Sequence, residues 1–156
     1  MGATSLDYVR LISWLAYFKH GVILNKTQMQ KLLFICYGLY LATHEAPLFS
    51  DDTPKAWPFG PVFPRSYKRY VESIPSDLSE NDKRMFLRDR ETLRSITDIV
   101  DRYCFYSANT LSEWSHQKGS PWAQTIFSED GKIIWNQPIE QNIIRNYFRG
   151  EWRTGL

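Results

Sequence analysis

Three histidines, His20, His44 and His116, are the side chains whose ordinary acidity suits them to proton transfer near neutral pH. Each falls near the end of a segment with helical spacing, where an imidazole more often orients a helix end than moves a proton. The densest grouping is "LSEWSHQKGSPW", residues 111–122, in which Glu113, Ser115 and His116 have the residue types of a carboxylate, a nucleophile and its base. Spacing argues against that use. Successive helical residues point about 100° apart, so Ser115 and His116 are expected to face away from each other. A Glu113–His116 contact at i, i+3 is feasible and reads as orientation of a helix end. No catalytic residue is nominated, and a hydrolase using His116 ranks last among the functional readings.

Metal, redox and nucleotide chemistry find little support. Cys36 and Cys104 lie inside apolar helical patterns without ligand-like neighbours and read as reduced core thiols. Zinc-type spacing is missing, and Asp51 and Asp52 read as a solvated turn, so no metal and no cofactor are expected. "FGPV", residues 59–62, offers one glycine beside a proline without an amide donor, which makes a poor phosphate cradle.

The basic residues Arg65, Lys68 and Arg69 follow one another on a short helical stretch. Lys83, Arg84, Arg88, Arg90 and Arg94 form a second set interrupted by Glu80, Asp82, Asp89, Glu91 and Asp98, which reads as a salt-bridged face. A formal net charge of +2 is too small to imply a nucleic-acid or membrane partner by itself. A nucleic-acid-binding regulator using the Arg65–Tyr70 stretch is kept as an alternative.

The elements that must position these groups follow from periodicity. The 156 residues suit one domain, 1–156, in the usual range of about 100–200 residues. A first helix is expected from the cap Ser5 to the stop Gly21. A second, from Asn25–Thr27 to before Pro47, is apolar round most of its girth and therefore central. Prolines at 47, 54, 58, 61 and 64 exclude helix over residues 47–64, which must be a structured loop with room for one short strand pair. "RSYKRYVE" resumes helical spacing, a long helix is expected over Glu80–Tyr103, and "SANTLSEWSHQ" forms a short one capped by Ser107 or Asn109. "AQTIF" adds a turn, and a last helix is expected from Pro138. The fold class is mainly α: a compact helical domain of about six helices around a rigid, aromatic loop. With no apolar run of about 18 residues and no signal-peptide pattern, a cytoplasmic protein without a membrane partner is expected.

Aromatic residues make up 15% of the chain, including six tryptophans. Trp57, Phe59, Phe63 and Tyr67 surround the proline loop, and Trp114 and Trp122 lie in the histidine segment. Large rings serve both as core and as interface anchors, and the sequence leaves the choice open.

Together, "LNKTQMQKLLFICYGLYLATHEAPLF", "AWPFGPVFPRSYKRY", "LSEWSHQKGSPW" and "QPIEQNIIRNYF" resemble, in order, the Panacea family, also called the SocA-like antitoxin domain, which is similar to phage-associated proteins of the GepA type. The resemblance runs from about Val9 to Phe148. It implies an antitoxin of a toxin–antitoxin module that neutralises a cognate protein toxin by binding, with no turnover. One family type is described as an adaptor that delivers its toxin to a cellular protease. Residue by residue, it places Lys31 and Leu32 in a helix motif, Trp57, Gly60, Pro61 and Val62 in the loop, and His116, Pro121 and Trp122 in the last turn. Ser115 stands where the family commonly has threonine, and Gln117, Lys118 and Gly119 stand where glutamate is common. Partner contacts are expected from Trp57, Phe59, Phe63, Arg65, Tyr67, His116 and Trp122, while Lys31, Leu32, Gly60, Pro61, Val62 and Pro121 are expected to serve the architecture.

Overall fold

A computed structural model describes residues 2–156. Helix α1, Ser5–His20, starts at Thr4 rather than at the expected Ser5. The Thr4 hydroxyl accepts the Asp7 amide and the Asp7 carboxylate accepts the Thr4 amide, a reciprocal cap. Ser5 is freed for another task, donating its amide and hydroxyl to Asp51 at 2.8 and 2.7 Å. The helix stops at Gly21, whose φ of 70° closes the last turn.

Helix α2, Lys26–Thr43, is capped by the same reciprocal device between Asn25 and Gln28. Every residue from Met29 to Gly38 is buried, as the lack of a polar face predicts. This central helix is walled by α1, by α5 (Arg90–Tyr103), by α6 (Ala108–Ser115) and by α8 (Gln141–Arg149). Gly38 marks the closest approach: a Cβ there would overlap the Phe148 ring of α8. Arg145 and Arg149 of α8 donate to the Leu41 and Ala42 carbonyls at 2.8 and 3.0 Å, so α2 ends in bonds supplied from a distant part of the chain.

The proline segment forms β1, Lys55–Trp57, and β2, Gly60–Val62, paired antiparallel with Ala56 opposite Pro61. A third strand, β3, Gln137–Pro138, adds to the other edge of β1 and gives the order β2-β1-β3. Pro138 is therefore a strand residue. The last helix begins at Gln141 instead, because the Ile139 amide is drawn to the Pro54 carbonyl at 2.9 Å.

The expected long helix over 80–103 is two: α4, Glu80–Leu87, and α5. Asp89 breaks it, accepting the Thr92 amide at 3.1 Å and the Thr92 hydroxyl at 2.7 Å to cap a fresh helix. Short α3, Pro64–Arg69, follows β2 with Pro64 in its first turn, and α7, Pro121–Ile126, has the same arrangement with Pro121. The described residues thus hold eight helices and one small sheet, a mainly α fold. None of these helices is long and apolar enough to cross a membrane. Cys36 and Cys104 are buried free thiols, and burial pushes both upward in pKa, Cys104 to about 11.

Candidate functional site

Loop 57–63 poses a problem of backbone chemistry. Prolines 58 and 61 supply no amide, the strands are three residues long, and several carbonyls are left without sheet partners. Side chains from two directions supply the donors. From the C-terminal side, Trp122 Nε1 donates to the Trp57 carbonyl at 2.6 Å, His116 Nε2 lies 2.8 Å from the Pro58 carbonyl, and the Ser112 hydroxyl donates to the Phe59 carbonyl at 3.2 Å. From α2, Lys31 Nζ donates to the Pro61 carbonyl at 3.2 Å, while Gln30 Oε1 accepts the Phe63 amide at 2.8 Å. Gln30 Nε2 in turn donates to Ser66 Oγ at 3.0 Å.

The clamp is packed as tightly as it is bonded. Gly60 has φ of 110°, and a Cβ there would sit 2.5 Å from Ser115 Oγ and 2.8 Å from Lys31 Cε. Only glycine fits both the conformation and the space. Lys31 is fully buried, and loss of water around its ammonium lowers its pKa to about 7. Leu32 and Val62 are core, and Pro121 is buried as it opens α7.

Ser115 and His116 do approach each other, contrary to the expectation from helical spacing: Ser115 Oγ is 3.3 Å from His116 Nδ1. His116 is the C-cap of α6, where the chain leaves the helix and lets the ring fold back over the last turn. The contact is not a nucleophile–base pair in form. Ser115 is 3% exposed and donates to the Ser112 carbonyl at 2.8 Å, and His116 Nδ1 lies 2.5 Å from that same oxygen. Both ring nitrogens point at carbonyls, so neither is turned to accept the Ser115 proton. Glu113 is exposed, and its backbone carbonyl, not its carboxylate, meets His116, accepting the His116 amide at 3.2 Å. His20, at the end of α1, pairs with Asp101 at 2.7 Å, and His44, the C-cap of α2, stacks on Tyr40 at 3.8 Å. Among the described residues no three His, Cys, Asp or Glu side chains converge as metal ligands would.

The rings assigned to partner contact divide sharply. Phe63 is wholly buried, packed against Phe34, Tyr37 and Phe49 with the nearer centroids 5.2 Å apart, and has no surface to offer. Trp122 is also buried, its ring 4.0 Å from that of His116. Trp57 and Tyr67 are half-buried against each other, at 5.4 Å, with Lys26 Nζ over the Tyr67 ring. Arg65 is exposed and lies 3.6 Å from Asp51. Phe59, at 65% exposure, projects from the tip of the hairpin.

A second apolar surface escaped the sequence reading. Residues 127–138 form an outlying hairpin in which Phe127 bridges Ile133, and Phe127, Ile133 and Trp135 are all exposed. It docks on the clamp: the Asn136 amide donates to the Ala56 carbonyl at 2.8 Å, Trp57 Nε1 donates to Asn136 Oδ1 at 2.9 Å, and Trp135 lies 6.2 Å from Trp122. "KIIWN" beside Gly131 was the available signal, a run of bulky residues next to a turn former. Gln30 and Ser112 were also missed, although a glutamine beside a lysine on an otherwise apolar helix signals buried polar partners.

These features define a helical domain in which buried Gln30 and Lys31, with Ser112, His116 and Trp122, hold one aromatic hairpin. Residues 29–123, which contain every clamping side chain, match the model of the antitoxin SocA-like, Panacea domain, and the chain belongs to that family. A toxin–antitoxin-related role follows from that membership. No curated protein and no solved structure gives a significant match to the chain.

Proposed function

We propose that this protein is an antitoxin that neutralises a cognate protein toxin by direct binding in the cytoplasm, as a single domain and without turnover. The observation that carries this reading is the exposed apolar face made by Phe59 at the tip of the clamped hairpin and by Phe127, Ile133 and Trp135 on the hairpin docked against it. Exposed apolar side chains gathered on neighbouring hairpins mark interaction sites, and a loop already fixed by five side-chain hydrogen bonds loses little conformational freedom when a partner binds. The buried state of Ser115 and the engagement of both His116 nitrogens support binding over turnover.

Co-expression with the product of the adjacent gene tests the reading. Growth arrest by that product alone, rescue by this protein, and loss of rescue in a folded Phe59→Ala, Trp135→Ala double variant are expected. A harmless neighbour that does not associate with this protein would remove it.

A further inference from the structure

Beside the aromatic hairpin lies a groove of about 480 Å3 whose charged lining is Lys55, Arg65, Lys68 and Arg69 against Asp51 and Asp52. The carboxylates are committed to the protein's own backbone. Asp51 accepts the Ser5 amide and hydroxyl, and Asp52 accepts the Ser66 and Thr53 amides, both at 3.1 Å. Of the cations only Arg65 approaches a carboxylate. Lys55, Lys68 and Arg69 make no ion pair among the described residues, and Lys68 and Arg69 are exposed. The groove's cations outnumber its carboxylates by four to two, and among the described residues Arg65 alone of the four is paired, whereas Lys19 lies 2.7 Å from Asp101 and Arg10 2.9 Å from Asp82. The groove therefore presents unneutralised positive charge.

Strand geometry ties this charge to the aromatic face. Side chains two apart on a strand project to the same side, so Lys55 and Trp57 share the outer face of β1 while Ala56 between them is buried. Tyr67 of α3 touches Trp57 as Lys68 and Arg69 follow it. The groove thus borders the hairpin's outer face through Lys55, which lines it beside Trp57 on β1. Nucleic acid fits less well: four cations set among two carboxylates in a concave groove fall short of the six to ten phosphate contacts, roughly, of a strongly salt-dependent DNA binder.

We propose that this groove receives Asp or Glu side chains of the toxin seated on the neighbouring aromatic face. The proposal rests on the antitoxin reading and names the chemistry of its partner. Charge complementarity of this kind sets association rate and partner choice more than raw affinity.

The test uses the isotopically labelled full chain, titrated with a hexaglutamate peptide and separately with a short DNA duplex. The peptide is expected to shift the amide signals of Lys55, Arg65, Lys68 and Arg69, with the shifts lost at high salt and in the K68E/R69E variant. Unmoved amides, or amides moved by the duplex and not by the peptide, overturn the proposal. In binding to the adjacent gene's product, K68E/R69E should weaken affinity on the order of tenfold or more at low salt, with a flatter salt dependence than wild type. If K68E/R69E binds as wild type does while the Phe59→Ala, Trp135→Ala variant fails, the groove proposal falls and the antitoxin reading stands. If the gene product does not bind but hexaglutamate does, the groove holds as an acidic-peptide site and the antitoxin reading falls.

Discussion

Two hairpins meet on one side of this molecule and are built on opposite terms. The first, 55–62, is held by side chains from α2, α6 and the segment leading into and through α7, and its turn glycine is walled in by Ser115 and Lys31. The second, 127–138, is held mainly by its own backbone bonds, among them Ser128 to Lys132 at 2.9 Å, and by its pairing with β1. Its turn glycine, Gly131, has φ of 81° with nothing within 4 Å of a notional Cβ. The first lies inside the span that matches the family and the second lies outside it. The difference teaches that the matched span builds a framework closed by side chains, while the second hairpin is docked on it along one strand edge and keeps its turn open to solvent.

Substitution at the two glycines is the strongest way to break this comparison. Gly60→Ala should cost about 3 kcal/mol, from left-handed strain plus overlap with Ser115 and Lys31. Gly131→Ala should cost about 1 kcal/mol, from strain alone. Urea unfolding of both variants measures the gap, and equal losses would erase the distinction. Trp122→Phe keeps an aromatic but smaller ring and removes the donor to the Trp57 carbonyl, for an expected loss of about 1–2 kcal/mol with faster hydrogen exchange in residues 55–62.

Lys31 sharpens the contrast through pH. Its folded pKa of about 7 lies below the unfolded value of 10.5, so above pH 7 the unfolded chain retains a proton that the folded chain releases. Stability contributed by this group therefore rises with pH, by up to about 1.4 kcal/mol per unit, and the slope vanishes below pH 7 where both states are protonated. The window from pH 7 to 8 isolates it, because at higher pH the buried thiols of Cys36 and Cys104 act in the opposite direction. Comparison with Lys31→Met, in which the slope should be absent, reads the effect directly. The smallest change in stability belongs to the second hairpin: Ile133→Ser should shift unfolding by no more than about 0.5 kcal/mol. Its effect should appear instead in the partner binding proposed above, and a large loss of stability would show the hairpin to be framework after all.

The helices were legible because their signals are local. The start near Asn25, the stop at Gly21 and the mostly apolar girth of α2 each act within a few residues, and the structure keeps all three. Errors fell where distant contacts decide. Pro138 looked like a helix start until β1 recruited it as a strand, whereas Asp89, whose cap on Thr92 is local, was hidden among the many charges around it. The prolines marked the loop as rigid, but its rigidity comes equally from Lys31, Ser112, His116 and Trp122, residues scattered along the chain. No periodicity links them. The same holds for Phe63, which sequence could not separate from Phe59: one is sealed among three rings and the other stands in solvent.

The seating of Phe148 on Gly38 bears on how the chain matures. Gly38 leaves the ribosome early, and its partner ring follows only after the intervening segments have been made, an interval on the order of ten seconds at ordinary rates of synthesis. Until then α2, which carries Gln30 and Lys31, lacks one of its walls, and the Leu41 and Ala42 carbonyls lack the arginines that bond them. Assembly of the clamped hairpin's framework thereby waits for the synthesis of α8, and a nascent chain halted before α8 would leave α2 open to solvent and to proteases.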